Sequence, residues 1–129
     1  MKDSLNSLLE IVKKNVAVCE WCNTQTSDMH LVKLKEEITE LELAIKNNDL
    51  ENAKEEMGDV IWDALILAYI FEREAKFKAK DSVDNVIRKI YNRKPWLLKG
   101  EKVSREEAVR IWVEAKAKEK MEKVNQKEK

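Results

Sequence analysis

An all-α fold, an antiparallel bundle of about five helices, is what this 129-residue sequence predicts. Gly occurs twice and Pro once, so the breakers and turn residues that punctuate a β-protein are missing. The chain is rich in Leu, Ala, Lys, Glu and Ile, and its apolar residues recur at helical spacing in one segment after another. The length suits a single domain, residues 1–129, large enough for a core of its own.

Residues 3–20 read as a first helix, with Leu5, Leu8, Leu9, Val12 and Val16 on one face. Trp21 to Ser27 is short and polar, a loop. A second helix runs from about Asp28 to Asn47 and stops at the Asn47-Asn48 pair. Asp49 is suited to N-cap a third helix, Leu50 to Lys76, about 40 Å long at 1.5 Å per residue. Its middle, Val60 to Phe71, is apolar almost all round. That predicts burial on several sides, with oligomerisation through this third helix into a homodimer or a dimer of dimers. Gly58, inside the same helix, costs about 1 kcal/mol relative to Ala; it is either tolerated strain or room for a close approach. A fourth helix, about Ser82 to Arg93, ends ahead of Pro95, and a loop with Gly100 follows. Ser104-Arg105-Glu106-Glu107 matches a capping box and opens a last helix to about residue 124. The charged tail, Lys116 to Lys129, is expected to fray.

Charge removes several function classes. With 25 basic and 25 acidic residues the net charge is zero, which argues against a nucleic-acid partner, since binders of a phosphate backbone carry a basic excess. No run approaches the roughly 18–20 apolar residues that span a bilayer, so no membrane partner is expected. The N-terminus shows no apolar signal region, which predicts a cytoplasmic protein. Cys19 and Cys22 form a C-x-x-C pair, the pattern of a redox couple or half a zinc site. There is no second Cys pair, the only histidine is His30, and the βαβ context of a redox motif is absent. Two reduced cysteines at a helix end are expected.

Two carboxylate clusters carry the chemistry: Glu36-Glu37-Ile38-Thr39-Glu40, then Glu56-Met57-Gly58-Asp59. An ordinary surface helix keeps its acids opposite the apolar stripe, whereas these lie on it. Measured from Glu37 at 100° per residue, Glu40 sits at about −60°, Leu41 at about +40° and Ala44 at about −20°. In the third helix Glu56, Asp59 and Asp63 share a face with Val60, Leu67 and Ile70. Residues three apart project side by side. Two such pairs on facing antiparallel helices would put Glu37, Glu40, Glu56 and Asp59 around one point. Carboxylates turned inward cost several kcal/mol per ion unless a cation meets them. An all-oxygen set without His or Cys suits hard Mg²⁺, with Mn²⁺ as a substitute. The same spacing also fits a solvated acidic face on a highly charged chain.

A di-iron bundle wants Glu-x-x-His on two helices, and neither cluster has His at that position. No covalent nucleophile is evident: His30 has no Ser-His-Asp partners and reads as structural, which leaves metal-activated water as the attacking group. Lys89 and Arg93 stack four apart beside Asn85, a pair that can hold phosphate or simply face solvent. Trp112 and Lys116 repeat that spacing, the indole able either to stack on a nucleobase or to join the core.

These segments resemble the MazG family of all-α nucleoside triphosphate pyrophosphohydrolases, which carries E-E-x-x-E, a spacer, then E-x-x-D. Both acidic motifs are kept. Cys19 to Thr26 resembles the family's C-P-W-D-x-x-Q-T, Lys89 to Pro95 its K-x-x-x-R-H-P, and Trp112 to Lys120 its W-x-x-x-K-x-x-E-K, so residues 19–120 are covered. Glu20 and Cys22 stand where Pro and Asp are usual, and Lys94 and Trp96 replace the histidines flanking Pro95. The resemblance implies Mg²⁺ ligation by Glu37, Glu40, Glu56 and Asp59, with Glu36 as a ligand or a water-orienting base beside Glu37. It implies triphosphate contacts from Lys89 and Arg93, and closure of a nucleotide pocket by Trp112 and Lys116. The activity implied is conversion of a nucleoside triphosphate and water to monophosphate and pyrophosphate, serving nucleotide-pool house-cleaning. Asp63, one turn beyond Asp59, is either a support behind the metal or a buried, hydrogen-bonded Asp. The alternative function is a non-catalytic helical module that binds a nucleotide or a partner.

Overall fold

A computed structural model describes residues 1–128. Among them are six α-helices and one 3₁₀ turn, with no strand: α1 (Lys2–Val18), α2 (Glu20–Asn23), α3 (Ser27–Lys46), α4 (Leu50–Arg73), α5 (Ala79–Arg93), the 3₁₀ turn Pro95–Lys99, and α6 (Arg105–Glu128). The chain divides into two compact units, Met1–Ser82 and the residues from Val83 onward.

In the first unit α4 is the spine. α3 packs along it most extensively, α1 packs on it as well, and α2 docks on α1. The core is small: Val12, Cys22, Ile66 and Ile70 are buried, flanked by Leu8, Val16, Cys19, Trp62, Leu65 and Tyr69. Within one chain the burial expected on several sides of Val60 to Phe71 is partial. Ile66, Ile70 and Asp63 are buried, most of the others are only half-buried, and Ala64 is exposed. Leu31, Val32, Ile38, Leu43 and Ile45 leave α3 with further uncovered apolar surface.

The helix starts follow their caps. Asp49 Oδ1 accepts the Asn52 N–H at 3.2 Å, Thr26 Oγ1 that of Met29 at 3.2 Å, and Ser104 Oγ that of Glu107 at 3.1 Å, each satisfying a donor with no partner in the first turn. The Ser104 box closes on one side only, because the Glu107 carboxylate turns to Arg110. Instead of a loop over Trp21–Ser27, four residues wind into α2, the difference between five expected helices and six. α6 extends through the charged tail from Lys116 as far as Glu128, since Ala, Lys, Glu and Met are all strong helix formers; Lys129 lies outside the described residues.

Three elements end on a left-handed residue: Asn48 (φ 52), Ala75 (φ 59) and Gly100 (φ 65). Each is followed by a six-to-one bond, Asp49 N–H to Ala44 O, Lys76 N–H to Phe71 O and Glu101 N–H to Trp96 O, the Schellman ending. This stops α4 at Arg73 rather than at Lys76. Asn and Gly tolerate the conformation, whereas Ala pays a steric penalty. Ala75→Gly is therefore expected to stabilise the protein by about 0.5–1 kcal/mol in urea unfolding; a lower midpoint would contradict the strained ending. Gly58 makes no room for a neighbour within the chain, because a Cβ there meets nothing within 4 Å.

Candidate functional site

α3 and α4 are joined by only three residues, so they run antiparallel as a hairpin. Its open end is tied down. The Glu74 carboxylate accepts the Ser27 N–H at 3.3 Å and the Ser27 hydroxyl at 3.3 Å, placing a negative charge at the N-terminus of α3. That contact holds the Glu74 carboxyl below its usual range. Arg73 donates to the carbonyls of Cys22, at 3.1 Å, and Gln25.

With the register fixed, the two acidic motifs meet. One carboxylate oxygen each from Glu37, Glu56 and Asp59 lies within 4.8 Å of the others. Glu37 and Glu56 are half-buried and Asp59 is exposed, so the cluster has an inner wall and an open mouth. Glu40 is not one of the three converging residues, but it is close enough to act on both Glu37 and Glu56. Glu36 stays exposed and lines a separate shallow concavity with Val32, Lys35, Thr39 and Glu40.

The electrostatics record the crowding. The Glu56 carboxyl is pushed up to about 7, first by desolvation and then by contact with the Glu40 and Glu37 carboxyls. Glu37 is also raised, by burial first and by the charges of Glu40, Asp59 and Asp63, against a lowering contact with Glu56. Glu37 Oε2 and Glu56 Oε2 are buried without a hydrogen-bond partner. Unpaired buried oxygens on like-charged groups are what a divalent ion would satisfy. The cluster therefore fits a hard cation bound by oxygen.

A second pair lies behind the cluster. His30 on α3 and Asp63 on α4 are each 1 % exposed, with Nε2 and Oδ1 3.2 Å apart. The contact is poorly aligned, and neither imidazole nitrogen has a hydrogen bond of good geometry. Burial lowers His30 and raises Asp63, each toward its neutral form. Lys33, which the sequence reading passed over, joins the two sites. Its Nζ lies 3.9 Å from Glu37 Oε1 and 5.8 Å from the centre of the Trp21 ring, and its charge is felt at both His30 and Asp63. The signal for it was the i, i+4 spacing of Lys33 and Glu37.

In the second unit Arg93 is already engaged. Its Nη2 donates to Glu119 Oε2 at 2.8 Å, and its guanidinium lies 4.9 Å from the centre of the Trp112 ring. Asn92 donates to the other Glu119 oxygen at 2.6 Å. Arg93 and then Asn92 hold the Glu119 carboxyl below its usual range. Lys89 lines a concavity of about 310 Å³ with Asn85, Arg88, Asn92, Glu119 and Lys123. Trp112 lines another of about 360 Å³ with Lys94, Ala108 and Val109. Lys116 is exposed. The Trp112 ring thus meets Arg93 and, at 5.6 Å from its centre, Lys94 Nζ.

The raised Glu56 sets a sign for metal binding. A carboxyl whose folded value exceeds its unfolded one contributes stability below the unfolded value, and that contribution is lost as pH rises through about 7. An ion must displace this proton to bind. The rise in melting temperature on adding Mg²⁺ is expected to be larger at pH 8 than at pH 6, by differential scanning calorimetry. An equal or reversed response would contradict a protonated Glu56.

The MazG nucleotide pyrophosphohydrolase domain matches residues 25–98. A nucleoside triphosphate pyrophosphohydrolase of Mycobacterium tuberculosis is 36 % identical over 105 residues, which is 80 % of this chain and 32 % of that protein. Its counterpart from Mycolicibacterium smegmatis is 37 % identical over 102 residues, 78 % of this chain and 32 % of that protein. The chain thus spans about a third of the length of these curated relatives. The crystal structure of a mazG-related protein from Thermotoga maritima aligns with a TM-score of 0.81 and 41 % identity, covering 87 % of this chain and 98 % of that one. Among the described residues no helix is long and apolar enough to cross a membrane. With the acidic hairpin inside the matched segment and the same all-α fold in the solved relative, the chain belongs to the MazG family.

Proposed function

We propose that this chain, as one MazG-like domain over residues 1–129, is a Mg²⁺-dependent pyrophosphohydrolase that converts nucleoside triphosphates and water to monophosphates and pyrophosphate. The convergence of Glu37, Glu56 and Asp59, with buried oxygens that lack partners, carries this reading. Glu37, Glu40, Glu56 and Asp59 would hold Mg²⁺, or Mn²⁺ in its place. The ion, when bound, would neutralise charge on phosphate oxygens and acidify water. Glu36 is a further ligand or the base that orients the attacking water at the α-phosphorus. Lys89 and Arg93 neutralise the phosphates, and Trp112 and Lys116 close on the nucleoside. Asp63, through its contact with His30, supports the helix behind the ligands. The half-covered α4 and the exposed apolar face of α3 favour a homodimer or a dimer of dimers built on α4. Clearance of unwanted nucleotides in the cytoplasm is the role this chemistry suits.

A panel of ribo- and deoxyribonucleoside triphosphates, assayed with Mg²⁺ for both products, tests the reading. Equal yields of monophosphate and pyrophosphate are expected. Diphosphate with free phosphate would show the wrong bond assigned. No turnover of any triphosphate, together with nucleotide-dependent stabilisation, would favour the non-catalytic binding module.

A further inference from the structure

The C-x-x-C turn takes no part in the proposed reaction, and its geometry points to a redox-active dithiol. We propose that Cys19 and Cys22 form a reversible intramolecular disulfide by exchange with a small-molecule or protein disulfide. Cys19 is the N-cap of α2, with extended backbone at φ −79° and ψ 117°, and Cys22 is the third residue of that helix. These are the N-cap and N3 positions, one helical turn apart, and Cys19 packs against the buried cluster that holds Cys22. The Asn23 N–H bonds to Cys19 O at 3.0 Å and closes the turn. One helical turn sets Cα atoms three residues apart at about 5 Å, inside the roughly 4.4–6.8 Å that a disulfide spans. Both sulfurs are free thiols in one apolar cluster.

Exposure assigns the order of events. Cys19 is partly open to solvent, while Cys22 is wholly buried. Cys19, as thiolate, attacks the external disulfide; an S–S bond forms to one half of it and the other half leaves as thiolate. Cys22 then loses its proton and attacks the Cys19 sulfur, releasing the second thiolate. Two protein thiols are oxidised, one external disulfide is reduced to two thiols, and the protons end on the departing sulfurs or in solvent. Arg73 Nη1, 4.0 Å from Cys22 Sγ, puts a cation beside the thiolate that Cys22 must become before it attacks. The bridge locks the turn that carries Trp21, the ring under Lys33.

The test uses the full chain, reduced and then incubated with excess oxidised glutathione. Intact mass and thiol alkylation are followed, and neither depends on nucleotide hydrolysis. The expected product is lighter by two hydrogens, has no alkylatable thiol, and returns to the starting mass with dithiothreitol. Cys22→Ser should accumulate a glutathione adduct on Cys19, and Cys19→Ser should react at least about tenfold more slowly than wild type because Cys22 is buried. A wild-type chain that keeps both thiols, or that stops at a stable glutathione adduct, overturns the proposal.

Discussion

Asp59→Asn is expected to lower the rate of pyrophosphate release by on the order of 10²–10³-fold while leaving the fold intact. Asp59 is exposed, so an amide there disturbs no packing. It also removes one of three acids that repel one another, and the melting temperature without divalent ion should stay level or rise. Two measurements separate catalysis from folding: pyrophosphate release under saturating Mg²⁺, and Mn²⁺ affinity by electron paramagnetic resonance. The variant should lose at least about tenfold in Mn²⁺ affinity. Wild-type turnover in Asp59→Asn would remove this carboxylate from the ligand set. Glu36→Gln adds a contrast: its carboxyl lies outside the converging three, so it should spare Mn²⁺ binding more than turnover if its role is to orient water.

Breaking the His30–Asp63 contact from one side is the largest stability effect expected. Asp63→Leu leaves a buried imidazole without its carboxyl neighbour, and a buried polar group stripped of its partner costs about 1–3 kcal/mol. His30→Leu leaves a buried carboxyl in the same position. The double variant, His30→Leu with Asp63→Leu, removes both polar groups and should recover most of the loss, since buried polar pairs often exchange for apolar ones at little net cost. Urea unfolding of the four proteins completes a double-mutant cycle. Additive losses in the double variant would show that the 3.2 Å approach does not couple the two residues.

Much of this arrangement was legible in the sequence because it depends on local spacing. Asp49 and Ser104 act as the caps they resemble. Three of the four expected ligands converge, because a hairpin with a three-residue connection brings i, i+3 pairs face to face. What stayed illegible was of another kind. Ala75 in a left-handed conformation contradicts its own propensity, so nothing in the composition marks the end of α4 three residues early. The pairing of His30 with Asp63 joins residues 33 apart in sequence, and a lone His carries no periodicity. The hold of Arg93 on Glu119 needs the register of α5 against α6, which no single helix encodes.

Closing the α3–α4 connection with Asn48 and Asp49 has a kinetic corollary. Glu37, Glu56 and Asp59 lie on neighbouring segments joined by a very short link, so little loop entropy stands against bringing them together. Contacts this close in sequence form early during folding. The segments carrying these three carboxylates should thus acquire protection in pulse-labelled hydrogen exchange ahead of the docking of α1, and a nascent chain emerging only as far as Arg73 already contains the whole hairpin.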